Sequence, residues 1–210
     1  MPKVLISDKL SPAAVAIFQA RGIETDVKTG LSPAELRAII GDYDGLAVRS
    51  STKVTAEVLA VARNLKVVGR AGIGVDNVDV KSATARGVVV MNTPHGNAIT
   101  TAEHAIALMF ALARQIPEAS ASTKAGKWEK NRFMGVELYG KTLGLIGCGN
   151  IGSIVADRAV GLKMKVIAYD PFLSEARAVA LGVEKVELND LFARADIITL
   201  HTPLTEGTRN

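Results

Sequence analysis

Along residues 3–92 the hydrophobic pattern switches repeatedly between two periods. Short runs rich in β-branched residues at 4–7, 24–27, 45–48, 66–69 and 88–91 read as strands. The stretches between them carry helix punctuation. Ser11 before Pro12 supplies an N-cap and a first-turn proline, and Gly22 stands where a C-terminal glycine belongs. Ser32, Pro33 and Gly41 repeat the arrangement. Strands that alternate with helices over short connections predict a parallel α/β sheet. Five of them predict a small flavodoxin-like domain.

Residues 97–113 break this rhythm. Ile99, Ala102, Ile106 and Met109 recur at helical spacing, and nearly every other position is small or apolar, which predicts a buried helix. Thr100 and Glu103 have the spacing of a capping box, Asn97 competes as N-cap, and Pro117 is expected to end or kink the helix. The run from Asn92 to Asn97, with Pro94 and Gly96, has the composition of a hinge. A domain boundary is placed there, giving a first domain over 1–96 and a second over 97–210. After a polar stretch around Trp128 the alternation resumes. Strands are predicted at 142–146, 165–169, 183–186 and 197–200, with helices at 151–162, 174–181 and 189–193.

Composition narrows the classes. With 48% apolar and 22% charged residues in 210, the chain reads as globular. Its apolar runs fall short of the roughly 18 residues of a bilayer span. No membrane segment is expected, and the N-terminus lacks the apolar stretch of a signal peptide, so a cytoplasmic location is expected. The single cysteine, Cys148, cannot form an internal disulfide, in keeping with a reducing compartment. The net charge of +4 is dispersed, which argues against nucleic acid and suits a small anionic ligand. No metal-ligand pattern and no internal repeat is visible.

The most informative run is Gly-x-Gly-x-x-Gly at Gly147, Gly149 and Gly152, between an apolar strand and a helix. Asp170 closes the next strand twenty-three residues after Gly147, near the offset of about 20 in dinucleotide sites. Gly147 permits the tight turn, Gly149 lets the backbone approach a pyrophosphate, and Gly152 allows close helix–sheet packing. Backbone N–H groups near Asn150 and Ile151 then face the phosphates at the positive end of the helix. Asp170 accepts from the adenosine ribose hydroxyls and disfavours a 2′-phosphate, pointing to NAD over NADP. A dinucleotide fold has two βαβαβ halves, and here only the first is complete. The second domain is therefore expected to be an incomplete Rossmann-type NAD-binding domain. Cys148 inside the loop reads as a filler, since no partner base is identifiable.

The glycine loop, Tyr169-Asp170-Pro171 and the run from His201 to Thr205 together resemble the D-isomer specific 2-hydroxyacid dehydrogenase family. The runs from Val48 to Thr55, from Gly69 to Asp79 and from Met91 to Asn97 are similar to the substrate-domain motifs of its phosphoglycerate-oxidising members. The resemblance implies that the first domain binds substrate and the second NAD, with the reaction in the cleft between them. It places Arg49, Ser50 and Asn97 on a small anionic 2-hydroxy acid, its carboxylate received by backbone at Gly72, Ile73 and Gly74. A solvated surface arginine is the alternative for Arg49, and a structural ion pair for Arg70. Thr202 and Pro203 border the cofactor, and His201 occupies a strand-end position beside it rather than acting as base. His95 lies in the hinge and His104 in the buried helix, both as poor catalytic candidates. Lys124, Lys127, Lys130 and Arg132 around Trp128 fall near the family's subunit interface or form a solvated loop. A homodimer or higher homo-oligomer is implied.

The family's catalytic arginine, glutamate and histidine have no counterpart in these 210 residues. No catalytic residue is assigned, and the chain alone is expected to be inactive. In intact form the resemblance implies oxidation of 3-phospho-D-glycerate to 3-phosphohydroxypyruvate in serine synthesis. A hydroxypyruvate or glyoxylate reductase of the family and an NAD-responsive, corepressor-like binding protein are the alternatives.

Overall fold

The computed structural model describes residues 1–209; Asn210, the last residue of the second expected domain, lies outside them. The chain divides into two compact units, residues 1–96 and the chain from Asn97 onward.

In the first unit the order is β1 (Lys3–Ile6), α1 (Pro12–Ala20), β2 (Glu24–Val27), α2 (Pro33–Ile39), β3 (Gly45–Val48), α3 (Ala56–Val61), β4 (Val67–Arg70), α4 (Val80–Ala85) and β5 (Val89–Asn92). All strand pairs are parallel, in the order β2-β1-β3-β4-β5. This is the flavodoxin-like order, with the sequence reversing direction across the sheet next to β1. Leu5, Leu46, Val48 and Val68 from the strands pack with Leu36, Ile40, Val58 and Leu59 from the helical side, all almost fully buried. The β2 edge carries polar Glu24, Thr25 and Asp26, with Lys3 Nζ bridging Glu24 at 2.8 Å and Asp26 at 3.1 Å. A charged edge of this kind resists pairing with another sheet.

Local chemistry sets the helix ends. Ser11 accepts from Ala13 N–H, and Ser32 with Glu35 forms a complete capping box. Gly22 closes α1 with φ +69°. Gly41 departs from expectation: α2 runs on into a 3-10 turn, Ile40–Asp42, that contains it. A Cβ on Gly41 would lie 3.2 Å from the Val61 carbonyl, so close approach of α3 explains this glycine better than a left-handed cap.

The second unit comprises α5 (Ala98–Ala113), α6 (Ile116–Lys124), β6 (Thr142–Ile146), α7 (Asn150–Gly161), β7 (Lys165–Tyr169), α8 (Glu175–Leu181), β8 (Glu184–Lys185), α9 (Leu188–Arg194) and β9 (Ile197–Leu200). Its parallel order is β8-β7-β6-β9, the 3-2-1-4 arrangement of a Rossmann-type sheet. Leu143 and Leu145 of the inner strand β6 are fully buried, with Val155, Ala156 and Ala159 of α7 in the same core.

Expectations fail at α5 and at its end. The helix is buried along one side only, where Ala98, Ala102 and Ala113 sit and it packs on α7. Ile99, Leu108 and Leu112 are 56%, 56% and 80% exposed, and His104 is exposed with them. Apolar composition all round the helix hid which face the small residues had selected. The Thr100–Glu103 capping box does not form, because the helix already begins at Ala98, directly after Asn97. Pro117 also does something else. The break is made by Gln115 in the left-handed region at φ +49°, and Pro117 sits in the first turn of α6, where its missing N–H costs nothing.

Candidate active site

The cofactor candidates gather at the C-terminal end of β6. Gly147 follows the strand with φ +88°, and its N–H donates to the Tyr169 carbonyl at 2.9 Å. A Cβ there would lie 2.5 Å from the His201 carbonyl oxygen, so both backbone angle and space require glycine. Gly152, in the first turn of α7, would place a Cβ 2.1 Å from the Gly147 carbonyl oxygen. That contact seats the helix directly on the turn. Over Gly149, by contrast, a Cβ would meet nothing within 4 Å. Protein packing does not demand glycine at this position, and the backbone there is open to a ligand. The twelve residues of α7 start at Asn150, so the amides around Asn150 and Ile151 form the positive helix end beside that opening.

Asp170 is tied into the same loop. One carboxylate oxygen accepts from Cys148 N–H at 2.7 Å and the other from Phe172 N–H at 2.8 Å. Lone pairs remain on both oxygens for ribose hydroxyls. The tight turn, the open Gly149 face, the helix end and the carboxylate together fit a dinucleotide. Thr202 is half-buried and Pro203 exposed, just past β9, with the His201 N–H donating to Ile146 O at 2.8 Å. The His201 ring pairs with Thr199 Oγ1 at 3.0 Å, and burial lowers its pKa. Burial, helped by the Asp170 charge, pushes the Cys148 thiol up. A buried, protonated thiol is a packing group.

In the first unit the candidates lie beyond the C-terminal ends of β3 and β4, where parallel sheets take ligands. Arg49 and Ser50 are exposed directly after β3. Gly72, Ile73 and Gly74 follow β4, and Thr93 N–H and Asn92 Nδ2 donate to the Gly72 and Ile73 carbonyls at 3.0 and 2.7 Å. The Arg70 guanidinium lies under this loop: a Cβ on Gly72 would come within 2.0 Å of Arg70 Nη1. Arg70 also faces Asp76 at 3.8 Å, in line with the ion-pair alternative. Asn97 is exposed at the start of α5 and makes no side-chain cap bond. Exposed His95 has no place in either cluster. In the basic stretch Arg132 pairs with Glu129 at 3.3 Å, while Trp128 is 85% exposed.

Three polar residues of the first unit, Asp8, Thr52 and Asn77, take parts that the sequence does not assign; Thr52 and Asn77 lie within runs that carry the resemblance, Asp8 outside them. Asp8, 5% exposed, accepts from Arg49 N–H at 2.6 Å, Thr52 N–H at 3.1 Å and Thr52 Oγ1 at 2.8 Å. Asn77, 4% exposed, donates from Nδ2 to the carbonyls of Arg49 and Thr52, both at 2.7 Å. The available signal was Ser7-Asp8 directly after a predicted apolar strand, at its ligand-facing end. Among the described residues no group of His, Cys, Asp and Glu could hold a metal, and no helix is long and apolar enough to cross a membrane.

Residues 106–210 match the family model described as D-isomer specific 2-hydroxyacid dehydrogenase, NAD binding domain. A D-3-phosphoglycerate dehydrogenase of Archaeoglobus fulgidus is 52% identical over 206 residues, which is 98% of this chain and 39% of that relative. One from Synechocystis is 50% identical over 210 residues, 100% of this chain and 38% of the relative. The chain thus spans about two fifths of the length of these relatives. Among solved structures, the TT0316 protein from Thermus thermophilus superposes with a TM-score of 0.87 at 35% identity, covering 98% of this chain and 66% of that one. NAD is the cofactor of the domain to which the glycine loop belongs. By the match of its second half and the likeness of the whole, the chain belongs to the D-isomer specific 2-hydroxyacid dehydrogenase family.

Proposed function

We propose that the natural gene product carrying these residues oxidises 3-phospho-D-glycerate to 3-phosphohydroxypyruvate with NAD. The observation behind this reading is the 52% identity that extends over 98% of the chain, and so includes the loops of the first unit as well as the glycine loop. In this reading Arg49, Ser50 and Asn97 hold the anionic substrate, and the backbone at Gly72, Ile73 and Gly74 receives its carboxylate. Arg49 suits the role because its side chain is exposed while its backbone is fixed by Asp8 and Asn77. NAD, when bound, supplies the hydride acceptor. The amides at Asn150 and Ile151 hold its pyrophosphate over Gly149, Asp170 takes the ribose hydroxyls, and Thr202 and Pro203 border it.

None of these residues is assigned to proton abstraction. A polypeptide of residues 1–210 alone is expected to give no NADH with 3-phosphoglycerate. It is also expected to bind NAD more weakly than an ordinary dehydrogenase, which titration calorimetry measures. The exposed pair Leu108 and Leu112, one turn apart on the same side of α5, supports the homo-oligomer that belongs to this reading. The decisive assay is NADH formation from 3-phosphoglycerate by the natural gene product. Its absence at saturating NAD refutes the proposal.

A further inference from the structure

The turn of residues 49–52 is held with unusual completeness. Both backbone polar groups of Arg49 and both of Thr52 are taken by two buried side chains. Asp8 accepts the two N–H groups and Asn77 donates to the two carbonyls. The Thr52 hydroxyl adds a bond to Asp8 and lies 3.0 Å from Ser7 Oγ. Ser50 and Ser51 are left exposed at the tip. Asn77 reaches a second segment as well, because its Oδ1 accepts from Arg70 Nε at 3.3 Å and Arg70 packs beneath Gly72. One amide side chain therefore joins the turn carrying Arg49 to the loop carrying Gly72, Ile73 and Gly74. Burying a carboxylate is costly unless donors surround it. A turn serving only as a connection has no need of one, since exposed backbone is satisfied by water.

We propose that Asp8 and Asn77 are positioning residues for the 2-hydroxy acid. Asp8 fixes the backbone of Arg49 and Ser50, and Asn77 sets that turn in register with the loop after β4. This rests on the reading that Arg49, Ser50 and the backbone at 72–74 hold the substrate. Neither Asp8 nor Asn77 touches substrate; each acts through the backbone it holds. Small displacements of a positioned group cost binding and rate out of proportion to their size.

The test is steady-state kinetics of the natural gene product. Asp8→Asn replaces an acceptor oxygen with an NH2 group facing backbone donors. It is expected to raise KM for the hydroxy acid about tenfold, as loss of a bond to a charged group implies, with KM for NAD unchanged. Thr52→Val is the milder variant and decides the matter if Asp8→Asn does not fold. It should raise the same KM by a smaller factor, and Thr52→Ser, which keeps the hydroxyl, should restore it. A purely structural role would lower the active fraction and leave both KM values alone. Folded variants with unchanged KM for the hydroxy acid, or with KM for NAD rising equally, overturn the proposal. The wild type is first assayed with 3-phosphoglycerate, glycerate and lactate. Turnover only of another acid refutes the phosphoglycerate reading, and the variants are then compared on that acid. Turnover of none overturns both.

Discussion

A methyl group added to the glycine loop meets very different neighbours at different positions. At Gly152 it strikes the Gly147 carbonyl at 2.1 Å, a backbone atom that cannot step aside. Gly152→Ala is therefore expected to lower stability by about 1–3 kcal/mol, read as a drop in the midpoint of urea unfolding. At Gly149 there is open space, so Gly149→Ala should leave that midpoint unchanged and weaken NAD binding in calorimetry of the natural gene product. Equal destabilisation by the two changes would show that Gly149 is a packing glycine. Cys148 gives a third residue-scale expectation. Burial raises its thiol pKa, so little thiolate exists near neutral pH, and a thiol reagent should label it only once the protein is unfolded. His201 works in the opposite sense. Its folded pKa lies below the ordinary 6.5, so its contribution to stability is present above that value and is lost as pH falls toward the folded pKa. Replacing His201 with Gln should flatten the acid side of the stability profile.

Among the elements, the junction between α5 and α6 is a strained point. Gln115 holds φ +49°, a region that costs a residue with a Cβ about 1–2 kcal/mol and costs glycine little. Gln115→Gly is expected to raise the thermal midpoint, the net gain being up to about 1 kcal/mol after the entropy lost by glycine. A lower midpoint would mean that the Gln115 side chain contributes more than its backbone strain. The same junction marks a limit of sequence reading. β2, β3, β6, β7 and β9 were legible to the residue, because β-branched runs bounded by turn residues have few other uses. α6 was missed, since Ile116–Lys124 carries small and polar residues with little apolar period, and Pro117 looked like an ending. The burial of α5 was overestimated because composition does not say which face finds a partner. At the site, Gly147 and Gly152 were legible from spacing. Asp8 and Asn77 were not, since only folding brings residues from beyond β1, β3 and β4 to the same turn.

Among the described residues the two hydrophobic clusters share no member, and each belongs to one unit. The first lies entirely within residues 1–96 and closes around a complete five-stranded sheet. A polypeptide of residues 1–96 should therefore fold on its own, giving one cooperative unfolding transition and a dispersed amide spectrum. A collapsed spectrum without dispersion would mean that this unit needs the rest of the chain. In the proposed reading substrate contacts and cofactor contacts fall in separately stabilised pieces, and damage to one core should leave the other unit's melting behaviour intact.

The bond from Cys148 N–H to Asp170 bears on any attempt to re-engineer cofactor preference. The obvious route to accepting a 2′-phosphate is to remove the Asp170 charge. Any replacement that lacks a side-chain acceptor also unties the amide between Gly147 and Gly149, loosening the turn on which, in the proposed reading, either dinucleotide rests. A redesign confined to position 170 should lose affinity for the old cofactor faster than it gains affinity for the new one. A second change that recaptures the Cys148 amide would have to accompany it.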